Sequence, residues 1–261
     1  MYSNKVLNTR LYSAQVGHWE TDGYISEIDQ ELLQLLNAQE GEQILDMGCG
    51  NGDIMHEIAQ SGAAVTGIDY SLAVIQYAKA KYPALAFIQA NAENYRAEGQ
   101  YDAIFSNDAL HWMRNADDVA RSAYECLKPG GRFVVEFGGK GNVSSVSKKV
   151  ISVLRDDFGL MDAEKRQPWY FPSIAEYSTL LEQQGFHVTY ARHYERPALL
   201  PDGWNGMRHW IASYMGDFFI GMTESQQEAA YQLVMARCKN ELFDGSVWSV
   251  DYTRLRITAY K

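Results

Sequence analysis

Two acidic residues and three glycines occupy positions where a ligand-binding loop is expected. The stretch ILDMGCGNGD places Asp46 at the end of a short apolar run and Gly48, Gly50 and Gly52 after it, and Asp69 ends a second apolar run. Glycine lets backbone N–H groups approach a ligand that a Cβ atom would exclude, and an acidic side chain after the next strand accepts hydrogen bonds from ribose hydroxyls. Both features predict a site for an adenosine-containing ligand.

Charge favours one class of adenosine ligand over another. A dinucleotide fingerprint, G-x-G-x-x-G, requires glycine at the position of Asp53, and two carboxylates near a pyrophosphate would repel it. S-adenosylmethionine instead carries a sulfonium cation and an α-ammonium group, which an acidic loop suits. We therefore expect S-adenosylmethionine as the cofactor, with a nicotinamide cofactor as the disfavoured alternative.

A second group of candidates follows a later apolar run, in FSNDALHW. His111 is the candidate catalytic residue because its ordinary pKa lets it accept a proton near neutrality. A hydroxyl acceptor would use that base, whereas a carboxylate acceptor is already ionised and needs only orientation by a cation such as Lys140 or Arg208. The alternative for His111 and Trp112 is a structural one, in which both only cover the end of the sheet.

Composition argues against several other classes of protein. The 261-residue chain is 46% hydrophobic with a formal net charge of −10, so it can bury a full core but lacks the basic surface of a nucleic-acid-binding protein. Its three cysteines form no C-x-x-C pair and its six histidines no H-E-x-x-H motif, so we expect neither disulfides nor a metal. No apolar stretch is long enough for a membrane span or a signal core, which predicts a cytoplasmic protein without a membrane partner.

Hydrophobic patterning predicts strands that alternate with helices. Apolar residues at helical spacing from Ile25 to Leu36 predict a first amphipathic helix, Ser71 is placed as a helix N-cap, and Gly62 and Gly185 are placed to end helices. Short apolar runs predict five successive strands in QILDMG, AVTGID, ALAFIQA, YDAIFSN and RFVVEFGG. This alternation implies a parallel sheet with helices on both faces.

The C-terminal part of the chain is patterned differently. HVTYARHY predicts a sixth strand, and VWSVDYTRLRITAYK predicts one longer final strand. Its alternation changes phase, which either a bulge near Thr253 or a misread register would explain. The segment between these strands, residues 197–245, is mainly helical in character. Burial in a helical core is the default expectation for its aromatic residues Trp204, Trp210, Phe218 and Phe219, and the alternative is an aromatic cover over the ligand pocket.

At several of these motifs the chain resembles the class I S-adenosylmethionine-dependent methyltransferases. Their first motif is similar to LDMGCGNG, their ribose-binding acid matches Asp69, and their fourth strand and a later glycine turn are similar to YDAIFSN and LKPGGRFVV. In layout the chain is nearest to the trans-aconitate methyltransferase-like and malonyl-carrier-protein methyltransferase-like groups, which have a stretch similar to ALHW. The first group also has a helical insertion that ends similarly to Asp244 and Gly245 here.

The resemblance implies a Rossmann-like α/β fold: a seven-stranded, mainly parallel sheet, an N-terminal helical cap and a helical insertion before the last strand. It also implies roles for individual residues. Those expected to bind the methionine and sulfonium part of the cofactor are Asp46, Gly48, Cys49 and Gly50. Those expected at the ribose are Asp69 and Tyr70. Those expected at the adenine edge are Asn91, Ala92 and Glu93, and Asn107 is expected in the methyl-donor pocket. Those expected in the acceptor pocket are Tyr12, Trp19, Trp112, Lys140 and Arg208.

The sequence therefore predicts a methyltransferase that transfers a methyl group to a small molecule, at an oxygen of a carboxylic acid or a hydroxyl. The alternative is a protein that binds S-adenosylmethionine without transferring its methyl group. We expect one domain, a monomer or homodimer, with no nucleic-acid partner. Its expected parts are an N-terminal helical cap (1–40), a cofactor-binding core (41–140), helices and the sixth strand (141–196), a helical insertion that forms the acceptor pocket (197–245) and the last strand (246–261).

Overall fold

The computed structural model describes residues 27–261 of the chain. Most of the expected N-terminal cap lies outside the described residues, as do Tyr12 and Trp19 of the expected acceptor pocket. The first described element is helix α1 (Glu27–Leu36), in which Leu32 and Leu36 are buried. The described part of the helix predicted from apolar spacing is thus confirmed.

Strands account for much of the described chain. They are β1 (Gln43–Met47), β2 (Ala64–Asp69), β3 (Ala86–Gln89), β4 (Tyr101–Asn107), β5 (Leu127–Gly138), β6 (His187–Glu195), β7 (Ala198–Leu200), β8 (Trp248–Val250) and β9 (Thr253–Tyr260). Seven of them form the main sheet in the order β3-β2-β1-β4-β5-β9-β6. The pairs from β3 to β5 are parallel, and β9 runs antiparallel to β5. The predicted seven-stranded, mainly parallel sheet is confirmed.

The helices begin and end largely at the residues that the sequence indicated. After α1 they are α2 (Asp53–Ala59), α3 (Leu72–Lys81), α4 (Ala116–Cys126), α5 (Ser144–Asp156), α6 (Ile174–Gln183), α7 (Gly206–Tyr214) and α8 (Glu224–Leu242). The side chain of Ser71 accepts the N–H of Val74 and so caps α3, as predicted. Gly62 and Gly185 follow α2 and α6 with φ of 85° and 100°, a left-handed conformation that favours glycine after a helix.

Both faces of the main sheet are covered by helices, because adjacent residues of its central strands point to opposite sides. Ile44 and Phe105 pack in a core with buried residues of α1, α2 and α3, whereas Leu45 and Ile104 pack in a second core with buried residues of α4 and α6. Burying each such side chain stabilises the fold by about 1.5–3 kcal/mol. Because both faces of the sheet are buried, the carboxyl ends of β1, β2 and β4 are held together at one edge of the sheet.

The predicted long final strand is wrong in one respect. VWSVDYTRLRITAYK forms two strands in different sheets: β8 pairs antiparallel with β7 in a separate two-stranded sheet, and β9 joins the main sheet. The chain turns between them, where the N–H of Tyr252 donates to the carbonyl of Val250 at 3.0 Å. The change of phase that suggested a bulge near Thr253 is therefore the boundary between two strands.

The chain divides into two compact units. Within the described range, the larger contains residues 27–140, 170–193 and 254–261, and the smaller contains residues 141–169 and 194–253. A buried ion pair in the larger unit joins β5 to β9: Nε of Arg256 lies 2.5 Å from Oε2 of Glu136, and both side chains are 2% exposed.

The smaller unit has its own aromatic core. Trp210, Phe218 and Phe219 are buried there as expected, but Trp204 is exposed, with Nζ of Lys239 5.7 Å from the centre of its ring. The expectation of core burial is therefore wrong for Trp204. None of the helices between residues 27 and 261 is both long enough and apolar enough to cross a membrane.

Candidate active site at the carboxyl edge of the main sheet

The glycine loop after β1 lies against the end of β2. The N–H groups of Gly48 and Cys49 both donate to the carbonyl of Ile68, at 2.8 and 3.0 Å. Gly48, Gly50 and Gly52 have φ of 81°, 53° and 84°, a region that side chains disfavour. The turn itself therefore requires these glycines.

Ala109, in the segment after β4, occupies the space beside Gly48. A Cβ atom at Gly48 would lie 2.2 Å from the Cβ of Ala109, far inside van der Waals contact. The glycine loop and the segment that carries His111 are consequently packed directly against each other. This contact, rather than ligand approach alone, explains why position 48 is glycine.

Asp69 is held at the end of β2 by backbone donors. Its Oδ1 accepts the N–H of Ser71 at 2.9 Å and its Oδ2 accepts the N–H of Gly50 at 3.4 Å. The side chain is 7% exposed, and burial outweighs the two hydrogen bonds, raising the pKa of Asp69 to about 6. The carboxyl group is therefore fixed in direction at the edge where ligands bind to parallel sheets.

Asp46, in β1, is more deeply buried. It is 3% exposed, and within the described residues its carboxyl group has neither a hydrogen bond nor an ion pair. Burial and the neighbouring charge of Asp69 raise the pKa of Asp46 to about 8. Two adjacent buried carboxyl groups that lack a cationic partner among residues 27–261 would both ionise readily only beside a positively charged ligand.

Asp53 has a different role from the one considered in the sequence. Its Oδ1 lies 2.6 Å from Nζ of Lys81 and accepts the hydroxyl of Tyr82 at 2.7 Å. Because Lys81 pairs with this carboxylate, Asp53 contributes little to repulsion of a pyrophosphate. Asp53 instead joins the start of α2 to the end of α3.

Cys49 and Tyr70 flank the two acidic positions. Cys49 is buried, and this burial raises the pKa of its thiol well above the usual range. A Cβ atom at Gly67 would meet its Cβ and Sγ at 2.8 Å, so the side chain packs over β2. Tyr70 is 40% exposed, and its carbonyl accepts the side-chain amide of Gln89 at 3.2 Å.

The residues expected at the adenine edge form a closed turn after β3. Oδ1 of Asn91 accepts the N–H of Glu93 at 3.0 Å, and Ala92 between them is buried. The Glu93 carboxylate accepts the N–H and side-chain amide of Asn115, at 3.3 and 3.1 Å. The turn after β3 is thereby joined to the start of α4.

His111 lies in a short 3-10 turn, Leu110–Trp112, and is buried. Its Nδ1 accepts the backbone N–H of Gly138 at 3.3 Å, which places the ring proton of the neutral imidazole on Nε2. Burial lowers the pKa of His111 to about 4, with a smaller lowering by Arg254 and an opposing effect of Asp108. The ring of Phe171 lies 5.7 Å from its own. His111 is thus a neutral hydrogen-bond donor at physiological pH.

An ion pair that the sequence did not indicate lies beside His111. Asp108, directly after β4, accepts two N–H groups of the Arg254 guanidinium from β9. Asp108 has a φ of 58°, which is uncommon outside glycine. The two residues are 146 positions apart, and only the antiparallel register of β5 and β9 brings them together.

The other expected site residues lie in different surroundings. Asn107 ends β4, opposite Glu136 of β5, and the ring of Trp112 lies 5.5 Å from that of His111. Lys140 is exposed in the larger unit. Arg208 belongs to the smaller unit, where its guanidinium already pairs with Glu228 at 2.6 Å. Between residues 27 and 261 no cluster of His, Cys, Asp and Glu side chains is placed to hold a metal.

The strand order and the acidic glycine loop define a Rossmann-like protein with a site for a cationic adenosine ligand. Residues 45–135 match a family described as a methyltransferase domain. An uncharacterized methyltransferase of Schizosaccharomyces pombe is 30% identical over 255 residues, which cover 91% of this chain and 94% of the relative. The chain therefore belongs to the methyltransferase family.

Other relatives match over shorter stretches. A malonyl-[acyl-carrier protein] O-methyltransferase of Pectobacterium atrosepticum is 30% identical over 120 residues, 46% of this chain and 47% of the relative. A trans-aconitate 2-methyltransferase of Escherichia coli is 32% identical over 109 residues, 41% of this chain and 43% of the relative.

A solved structure supports the fold. Phosphoethanolamine N-methyltransferase 2 of Haemonchus contortus, in complex with S-adenosyl-L-methionine, has a TM-score of 0.55 and 17% identity, over 92% of this chain and 54% of that one. The cofactor of this family is S-adenosylmethionine, and the buried carboxyl group of Asp46 beside the fixed carboxyl group of Asp69 fits its positive charge and its ribose. The nicotinamide alternative is not supported.

Proposed function

We propose that this methyltransferase transfers the methyl group of S-adenosylmethionine to a carboxylate oxygen of a small organic acid. The observation that carries the proposal is the hydrogen bond from the Gly138 N–H to Nδ1 of His111. This bond occupies the one nitrogen of the neutral ring that could accept a proton. His111 is therefore suited to donate a hydrogen bond from Nε2 and poorly suited to act as a general base.

A carboxylate acceptor makes no demand for a base. A carboxylic acid has an ordinary pKa near 4 and is ionised at neutral pH, so its oxygen is already a nucleophile. A hydroxyl acceptor would need to lose a proton during transfer, and His111 with a pKa of about 4 takes one poorly at pH 7. The choice between the two acceptors considered in the sequence therefore falls on the carboxylate.

The residues of the larger unit have separate tasks in this proposal. The cofactor supplies a methyl group on a cationic sulfur, which is an excellent leaving group. Asp69 holds the ribose hydroxyls, and Asp46 provides negative charge for the cationic part. His111 orients the acceptor through Nε2–H, and alignment of the two reactants supplies most of the rate enhancement.

The shorter-range relatives support an acid as the acceptor. Their names state a malonyl group and trans-aconitate, both of which carry carboxylates. The net charge of −10 also favours a small molecule over a nucleic acid as partner. A cytoplasmic location and a monomeric or homodimeric state complete the proposal, and light scattering after gel filtration measures the latter.

Methyl ester chemistry provides a sharp test. Purified protein is incubated with S-adenosylmethionine carrying a labelled methyl group and with panels of carboxylic acids, phenols and amines. Formation of S-adenosylhomocysteine identifies an acceptor, and mild alkali then releases labelled methanol from an ester but not from an ether or amine. We expect alkali-labile label from one or more acids, and less label from the cofactor-site variant Asp69→Asn when S-adenosylmethionine is kept below saturation.

Two results would contradict the proposal. Stable label on a phenol or amine, with none on any acid, would assign a different acceptor. Tight binding of S-adenosylmethionine without turnover of any compound in the three panels would favour the alternative of a protein that binds the cofactor without methylating.

A further inference from the structure

We infer that Arg254 is the group that recognises the acceptor carboxylate, and that Asp108 is a resident anion which this carboxylate displaces. The inference rests on the proposed function and names the residues that select its substrate. Both residues lie in the larger unit of the structure.

Three features of the main sheet converge on Arg254. It stands opposite Gly138 in the register of β9 and β5. The N–H of Gly138 donates to His111, and the carboxylate of Asp108 binds the Arg254 guanidinium. The guanidinium therefore lies near enough to affect the pKa of the imidazole, at the carboxyl ends of β4 and β5, where ligands of such sheets bind.

The two partners of the ion pair differ in exposure. The Arg254 side chain is 8% exposed, whereas that of Asp108 is 52% exposed. The Asp108 carboxylate is open to exchange with a dissolved anion, whereas the guanidinium is held at the start of β9. A carboxylate that takes the place of Asp108 keeps the guanidinium in an ion pair.

A second arginine on the same strand shows what a permanent pair is like. Arg256 pairs with Glu136, with both side chains 2% exposed, and also with the exposed carboxylate of Glu31. The buried Glu136 carboxylate cannot exchange with a dissolved acid. The Asp108 carboxylate, which is 52% exposed, is open to such exchange.

The backbone of Asp108 is consistent with a functional position. Its φ of 58° lies in the left-handed region, which non-glycine residues adopt uncommonly and in which such residues often serve functional sites.

The chemistry of guanidinium selects the ligand class. Its planar fork binds a carboxylate through two parallel charge-assisted hydrogen bonds. An ester or a primary amide offers no negative charge and cannot replace Asp108. The Nε2–H of His111 offers an additional neutral donor, because burial lowers the pKa of that histidine to about 4, with a smaller lowering by Arg254.

Two variants with opposite expected effects test the inference. Arg254→Lys keeps the charge but loses the fork, and should raise the KM of the acid found in the methyl ester assay about 10- to 100-fold. Asp108→Asn removes the competing anion, and should lower the KM for the same acid several-fold. The matched control is Arg256→Lys, the same change on the same strand, which should leave the KM within about twofold.

Calorimetric affinity for S-adenosylmethionine is measured for every variant, and is expected to be unchanged because neither residue is assigned to the cofactor. If Asp108 only stabilises the fold, Asp108→Asn will lower the unfolding midpoint and leave or raise the KM, which overturns the inference. An unchanged KM in a folded Arg254→Lys protein also overturns it, while methylation of acids by the wild type would leave the proposed function standing. Absence of any methylated acid would instead reject the proposed function, and the inference with it.

Discussion

The backbone N–H of Gly138 donates to Nδ1 of His111 across 3.3 Å, so the last residue of β5 sets the tautomer of a ring in the segment after β4. No side chain takes part on the Gly138 side. The direction of the imidazole is therefore a property of the sheet, and substitutions at the surface of the site should not change it.

Substitution of His111 should affect acceptor binding more than turnover. We expect His111→Ala to raise the acceptor KM about 10-fold or more, the equivalent of one hydrogen bond to a charged group, and His111→Gln to recover part of the loss because its amide also donates. Since the pKa of His111 is lowered to about 4, the ring stays neutral, and with saturating S-adenosylmethionine the specificity constant of the wild type for the acceptor should be flat between pH 6 and 8.

Steady-state kinetics across that pH range provide the measurement. A positioned general base contributes at least about 100-fold to the turnover rate. A loss of that size with His111→Ala, together with a decline of the wild-type turnover rate at saturating S-adenosylmethionine as the pH falls below neutrality, would restore His111 as the general base.

Cofactor affinity should rise with pH through Asp46. Its pKa of about 8 means that the carboxyl group is mostly protonated at pH 7 in the free protein, and a cationic ligand favours the ionised form. Binding of S-adenosylmethionine should thus release a proton, and the dissociation constant should fall by up to about 10-fold per pH unit below pH 8 and then level off.

Calorimetric titrations in buffers with different ionisation enthalpies count the released protons. Asp46→Asn serves as the control. In this variant the amino group of the cofactor still titrates, but the carboxyl group at position 46 is absent. S-adenosylhomocysteine, which lacks the sulfonium charge, should show a weaker dependence on pH. Equal proton release by the wild type and by Asp46→Asn would exclude Asp46 as the source.

Asp69 should contribute to affinity for the ribose. Asp69→Asn keeps the shape of the side chain and an oxygen that can accept the N–H groups of Ser71 and Gly50. We expect it to lose about 1.5–3 kcal/mol of affinity for both S-adenosylmethionine and S-adenosylhomocysteine, because both contain the ribose. Titration calorimetry would detect this loss. An unchanged affinity for both compounds would remove Asp69 from the site.

Gly48→Ala should destabilise the fold itself. The added Cβ would lie 2.2 Å from that of Ala109, at a φ of 81°, and we expect a loss of about 2–4 kcal/mol in the free energy of unfolding in urea. Gly41→Ala is the matched control, because Gly41 has the same φ of 81° and nothing within 4 Å of the added atom. The double variant Gly48→Ala with Ala109→Gly should recover the part of the lost unfolding free energy that is due to overlap with the Ala109 side chain. Equal losses of unfolding free energy in Gly48→Ala and Gly41→Ala would show that the contact with Ala109 is not tight.

Local patterns were sufficient to predict the first half of the chain. The strand that ends at Asp69, the cap at Ser71 and the helix before Gly41 each depend on neighbouring residues only, and all agree with the structure. The glycine loop was predicted as well, but its contact with Ala109 was not, because that contact joins segments that are far apart in the sequence.

The features that sequence patterns did not predict depend on pairing between strands that are far apart in the chain. Arg254 lies in a run that reads as an ordinary strand, and nothing near it in sequence indicates Asp108 or His111 as neighbours. The break between β8 and β9 was missed because residues of similar β propensity continue through two strands that belong to different sheets. The proton position on His111 depends in turn on a backbone group 27 residues away.

The strand order has a consequence for how the molecule is made. β9 is the last described strand, yet it lies between β5 and β6 in the main sheet. A nascent chain that has left the ribosome only as far as β6 can form the glycine loop, but it exposes an unpaired edge of β5 for as long as synthesis of the remaining residues takes. We expect such a ribosome-bound chain to engage chaperones, and refolding of the full chain to be limited by the late insertion of this one strand.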